Sequence, residues 1–136
     1  MVPGCSRRVG SRGITLYAGI IGANFGGCVK ILLDSSTPAD LARSMSLHQV
    51  VRTRQLGWQS LEDGSLLDVA ERHGFQVLIT CDQNLPYQQN FTDRKIAVLI
   101  LSTNHWPTLR PLAARIANLV AFLQRGQVRR IDVRAL

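Results

Sequence analysis

The sequence predicts a three-layer α/β/α domain on a mainly parallel sheet of about five strands. Three observations carry this. Short apolar runs recur along residues 29–136, segments of helical periodicity lie between them, and the runs ILL, VLI and AVLIL are continuous rather than alternating. Strands that alternate with helices pair in parallel, and continuous apolar runs suit strands covered on both faces. A chain of 136 residues can bury a sizeable single core. Its composition, 46% hydrophobic and 18% charged, is that of an ordinary globular protein.

Each element has its own signal. "VKILLD" (29–34) is an apolar run ending in an acid, the first strand. In "PADLARSMS" (38–46), Pro38 opens a helix whose apolar positions are Leu41, Ala42 and Met45. "HQVVRT" (48–53) reads as the second strand. "EDGSLLDVAERHG" (62–74) is a helix with Leu66, Leu67, Val69 and Ala70 inward, Asp68 and Glu71 on a solvated face and Gly74 as its stop. "FQVLIT" (75–80) and "KIAVLILS" (95–102) are further strands. "LRPLAARIANLVAFLQRG" (109–126) predicts the longest helix, and "VRRIDV" (128–133) an edge strand. Trp58 and Trp106 are expected as half-buried loop anchors.

Residues 1–28 read differently, holding three arginines, no acid and many glycines. Their apolar stretch is too short and glycine-rich to span a bilayer. A basic start and apolar middle allow a signal peptide, but Gly19, Gly22 and Asn24 interrupt the middle. We read 1–28 as a weakly ordered extension or a misassigned start, with Val29 opening the domain, 29–136. "GIIGANFGG" does not follow a strand as G-x-G-x-x-G must, which excludes a dinucleotide site. Cys5, Cys28 and Cys81, odd in number and widely spaced, indicate neither a disulfide framework nor a zinc site. The cytoplasm is the expected compartment.

The formal net charge of +7 points to an anionic partner, nucleic acid foremost. Arginine supplies 14 of the 16 basic residues, which suits bidentate phosphate contacts and equally reflects a coding bias. Against this background two acids fall at predicted strand ends, Asp34 after "ILL" and Asp82 after "LITC", and Asp63 opens the second helix. Ligands of parallel sheets sit at that edge. Carboxylates gathered there repel one another unless a cation joins them, and a hard divalent ion with oxygen ligands is the usual solution. Each acid also has a local reading. Asp63 can complement the helix dipole or serve as the N3 partner of Ser60 in a capping box. Asp34 and Asp82 can be turn residues. Asn84, Gln88, Gln89 and Asn90 can position waters or phosphate oxygens, or merely solvate a short helix. Tyr87 can stack on a base or sit in the core.

The blocks "VKILLD…P…LAR" (29–43), "HQVVRTRQLGW" (48–58), "EDGSLLDVAERHGFQVLITCDQNLPYQQN" (62–90) and "IAVLILSTNHWPTLRPL" (96–112) resemble the small stand-alone PIN-like proteins of bacteria. The resemblance covers almost all of 29–131, and LIT-x-D-x-N is its sharpest motif. It implies a PIN-like fold and a Mg2+- or Mn2+-dependent endoribonuclease, the toxin of a toxin–antitoxin pair with an antitoxin protein as partner. By position it makes Asp34, Asp63 and Asp82 the metal-binding acids. Relatives commonly carry acids where this chain has Ser35 and Asn84, which raises the alternative of a non-catalytic module binding RNA or a protein partner.

On the nuclease reading, Asp34, Asp63 and Asp82 hold the ion, a metal-activated water attacks the RNA phosphodiester and Asn84 orients it. Tyr87 and Arg110 contact the nucleic acid. Arg125, Arg129, Arg130 and Arg134 add non-specific phosphate attraction or are plain surface charge. A phosphoacceptor domain would need paired acids at the first strand and a lysine at the last, and "LLDSS" and "RRIDV" provide neither. A homodimer is the default if the chain self-associates, and no membrane partner is expected.

Overall fold

The structure, a computed structural model, describes residues 28–85, 90–91 and 93–135. Residues 1–27 of the expected extension lie outside them, as do Tyr87, Gln88 and Gln89.

Among the described residues five strands and four helices follow in the expected alternation: β1 (Lys30–Leu33), α1 (Asp40–Ser44), β2 (Gln49–Arg52), α2 (Asp63–Arg72), β3 (Val77–Thr80), β4 (Ala97–Leu101), α3 (Trp106–Leu109), α4 (Ala113–Val120) and β5 (Val128–Ile131). All strand pairs are parallel, in the order β2-β1-β3-β4-β5. β5 is an edge strand, as its arginine-rich sequence predicts.

Strand periodicity sorts the core into two layers. Ile31, Leu33, Val77, Ile79, Ala97, Leu99, Leu101 and Ile131 face α1, α3 and α4, where Leu41, Leu109, Ile116 and Val120 fill the space. The alternate residues Leu32, Leu78, Val98 and Ile100 face Leu66, Leu67 and Ala70 of α2. Helices therefore cover both faces, which makes the three-layer α/β architecture. Trp58 and Trp106 are half-buried, as expected; Trp58 packs edge-on to Phe75 and His73, and Trp106 lies against the opposite core. Among the described residues no helix is long and apolar enough to cross a membrane.

The single helix expected over 109–126 is instead broken. α3 ends at Leu109, a 3-10 turn spans Arg110–Leu112, and α4 stops at Val120. Pro111 has no N–H to give a helical bond and its ring crowds the preceding turn, so the apolar periodicity continues while the helix does not. Past α4, Gly126 sits at φ 75°, and a Cβ there would lie 2.9 Å from the Arg94 carbonyl oxygen and 3.0 Å from that of Phe91. Backbone packs on backbone at this corner, which only glycine permits.

Two other expectations change. Glu71 is not on a solvated face: its carboxylate accepts the backbone N–H groups of Lys95 (2.6 Å) and Ile96 (3.1 Å) and pairs with Arg94 (3.3 Å). Asp68 takes the same guanidinium at 2.6 Å, so α2 is clamped to the chain entering β4. Cys28 is disulfide-bonded, a pairing that an odd cysteine count cannot reveal, whereas Cys81 is free.

His48 is a buried staple. Its Nδ1 accepts the Val29 N–H at 3.0 Å and its Nε2 lies 2.6 Å from the Ala117 carbonyl oxygen. A carbonyl only accepts, so the proton is on Nε2 and the ring is neutral. Burial pushes its pKa below the ordinary value, with the Ala117 hydrogen bond opposing.

Candidate functional site

The strand order creates the site. From β1 the chain moves outward to β2, then returns to place β3 on the other side of β1. At such a reversal the connections leave in opposite directions and open a crevice at the carboxyl ends of the strands. Asp34 follows β1 directly and Asp82 lies just beyond β3. The register pairs Leu32 with Leu78 and Leu33 with Ile79, so its continuation sets Asp34 opposite Thr80. Both continue the face that carries Leu32 and Leu78, the α2 face. The connection from β2 leaves from the same edge, and Asp63 is the first residue of α2.

Hydroxyl groups fix Asp34. Its Oδ2 accepts the Ser36 hydroxyl at 2.7 Å and the buried Thr80 hydroxyl at 3.0 Å. The same hydroxyls brace the next loop: Ser36 Oγ accepts the Cys81 N–H at 3.0 Å, and Thr80 Oγ1 accepts the Asp82 N–H at 3.1 Å. Asp82 makes the expected turn, its Oδ1 accepting the Asn84 N–H at 2.9 Å. Each carboxylate thus commits one oxygen to the fold, and the other accepts no hydrogen bond among the described residues.

Asp63 is not a cap. Glu62 occupies the N-cap, neither acid makes a capping hydrogen bond, and Ser60 lies too far upstream to form the box. The Asp63 carboxyl is half-buried, and its pKa is raised by burial first, then by the charges of Asp82, Asp34 and Glu62. Two of the predicted acids, Asp82 and Asp34, therefore act on the third. Among the described residues no lysine or arginine forms an ion pair with any of them. Nor do three or more carboxylates, histidines or cysteines stand together there as a ready ligand shell. Their chemistry suits a hard divalent ion that keeps several waters, as Mg2+ does, better than a closed cage. Cys81, between Thr80 and Asp82, is pushed up to about 11 by burial and by the Asp34 charge, with the Ser36 hydrogen bond opposing.

The remaining predicted residues divide. Asn84 is exposed beside Asp82, and Tyr87 is outside the described residues. Arg110 is exposed in the turn after α3 and is in no ion pair with the acids. Arg134 pairs with Asp132. Arg130, read from sequence only as general charge, donates from Nη2 to the Gln83 carbonyl at 3.2 Å, one residue from Asp82. Gln83 is anchored on its other side by its amide, which donates to the Leu101 carbonyl at 2.8 Å. Ser36 is the residue that sequence reasoning missed. Its signal lay in "DSST", where a hydroxyl two residues after an aspartate can return to that carboxylate.

Comparison of the chain with protein-family models, curated proteins and solved structures gives no match. The strand order is one of the common doubly wound arrangements, which host many unrelated activities, so function is argued from the site itself.

Proposed function

We propose that the protein is a Mg2+- or Mn2+-dependent endoribonuclease of the PIN-like kind, with Asp34, Asp63 and Asp82 as the residues that would hold the ion. The observation that carries this reading lies at the sheet edge, where burial first, and then the charges of Asp82 and Asp34, raise the pKa of Asp63. Such an arrangement costs stability in isolation and is offset by a cation. When bound, the ion would neutralise these carboxylates and polarise an RNA phosphodiester towards hydrolysis by water. Ser36 and Thr80 hold Asp34 in one rotamer, and the Asn84 N–H does the same for Asp82. Pre-set ligands of this kind need little reordering when substrate arrives. The net charge of +7 supports attraction of a polyanion to this acidic corner. A toxin paired with a small antitoxin follows from the resemblance on the same residues; a cytoplasmic location and a homodimer are proposed beside it on cysteine usage and on the default symmetry of oligomers.

The test is incubation of the purified protein with single-stranded RNA and Mn2+. Cleavage is expected, with loss of at least about a hundredfold in Asp82→Asn and complete loss on chelation, the scale at which electrostatic transition-state stabilisation is removed. Cleavage that survives either treatment rejects the proposal. Ser35 and Asn84, at positions where PIN-like relatives carry acids, favour a second reading: a module that binds RNA or a protein without cutting. RNA binding with no cleavage under any divalent ion selects it.

A further inference from the structure

Resting on the ribonuclease reading, and on its divalent-ion site in particular, we propose that Thr53 is a positioning residue of that site, whose hydroxyl donates to the uncommitted Oδ1 of Asp34 when a divalent cation binds. Four polar side chains are buried among the described residues: Thr37, His48, Thr53 and Thr80. Three of them are satisfied. Thr37 Oγ1 donates to the Asp34 carbonyl at 2.6 Å, Thr80 Oγ1 donates to the Asp34 carboxylate, and both ring nitrogens of His48 are engaged. Thr53 Oγ1 has no hydrogen-bond partner among the described residues, and Thr53 is only 1% exposed. Buried hydroxyls are rarely left in this state, because the group gives up its water and gains nothing in return. What it faces follows from its place in the sheet.

Val51, Leu32 and Leu78 form one row across β2, β1 and β3, and all three pack in the α2-side core. Two residues further along each strand, the next row on that face is Thr53, Asp34 and Thr80. The backbone supports this extension on both sides of β1. The Asp34 N–H still donates to the Ile79 carbonyl at 2.9 Å, and Arg52 is still extended at φ −92°, ψ 146°. Asp34 therefore stands between two threonines, with a backbone spacing of about 4.8 Å to each. Thr80 and Ser36 hold its Oδ2, while Oδ1 accepts no hydrogen bond among the described residues. The Thr53 backbone is fixed, since the Arg52 N–H donates to the Gln55 side chain at 2.8 Å and the Thr53 carbonyl accepts the Trp58 N–H at 3.0 Å. Rotation about its Cα–Cβ bond remains, and it carries the hydroxyl between staggered positions. An ionised carboxylate offers about four lone-pair sites, so an oxygen that takes a cation can also accept a hydrogen bond. Donation from Thr53 then holds Asp34 from both neighbouring strands and gives the buried hydroxyl its partner.

Calorimetric titration of the full chain with Mn2+, beside thermal unfolding of the metal-free protein, tests this in Thr53→Val and Thr53→Ser. Valine keeps the shape and removes the hydroxyl, so metal-free Thr53→Val is expected to melt no lower than the wild type. Its Kd for Mn2+ should nevertheless rise about tenfold, the usual scale for losing a hydrogen bond that orients a metal ligand. Thr53→Ser, which keeps the hydroxyl, should restore the wild-type affinity. Unchanged Mn2+ affinity in Thr53→Val overturns the assignment and leaves the ion site standing. A metal-free Thr53→Val that melts clearly lower also overturns it, because the hydroxyl would then have its partner without the ion. A wild-type chain that binds no Mn2+ overturns both the assignment and the reading on which it rests. Mn2+ affinity that depends on Thr53 in a chain that cuts no RNA supports the assignment and rejects the nuclease.

Discussion

Asp63 is a half-buried carboxylate that caps nothing and that three neighbouring acids push against. Its folded pKa is raised, so its favourable contribution exists only below the unfolded value and is lost as pH rises through the folded one. At neutral pH in the absence of divalent ions the ionised side chain is therefore a cost. Asp63→Asn is expected to stabilise the metal-free fold by a few tenths to about 1 kcal/mol after allowance for solvent screening. The gain should shrink with added salt and vanish well below pH 3.9, about the unfolded carboxylate value, where both states are protonated. Urea denaturation at neutral and acid pH measures it, and a less stable Asn variant at neutral pH would show that Asp63 has a stabilising partner. At this scale the sequence was informative in proportion to how local each role is. Asp34 and Asp82 were visible as acids that follow apolar runs. Ser36 and Arg130 were not, because their partners Thr80, Cys81 and Gln83 are brought to them by strand pairing.

At the scale of elements, local chemistry decides where periodicity is ambiguous. α2 ends near Gly74, which takes φ 81° as a glycine stop should. The apolar pattern beyond Leu109 runs on to the buried Leu123, yet Pro111 splits the helix, so the proline was the better guide than the pattern. The Glu71 clamp was illegible for the opposite reason: an acid at a helix end usually faces water, and only the approach of β4 gives it two backbone donors. Glu71→Ala should strand those donors and release Arg94, costing about 1–3 kcal/mol, the penalty for backbone groups left unsatisfied. Chemical denaturation reads it directly. A change under a few tenths of a kcal/mol would mean that water replaces the carboxylate without loss.

For the whole molecule, alternating strands and helices were enough to predict parallel pairing and two covered faces, because both follow from chain geometry. The order of the strands was not legible, since it depends on which side of β1 each crossover packs. That order is what brings the ends of β1 and β3 together beside the start of α2. The central proposal is that Asp34, Asp63 and Asp82, which flank that edge, bind one divalent cation. Thermal unfolding of the full chain across a Mn2+ titration tests it most directly, because an ion that binds only the folded state stabilises it by about 2.7 kcal/mol at a hundred times its Kd. The account predicts a saturable rise in Tm with Mn2+, absent with monovalent salt of equal ionic strength and lost in Asp34→Asn and Asp82→Asn. A Tm indifferent to millimolar Mn2+, or a rise that both variants retain in full, would contradict it.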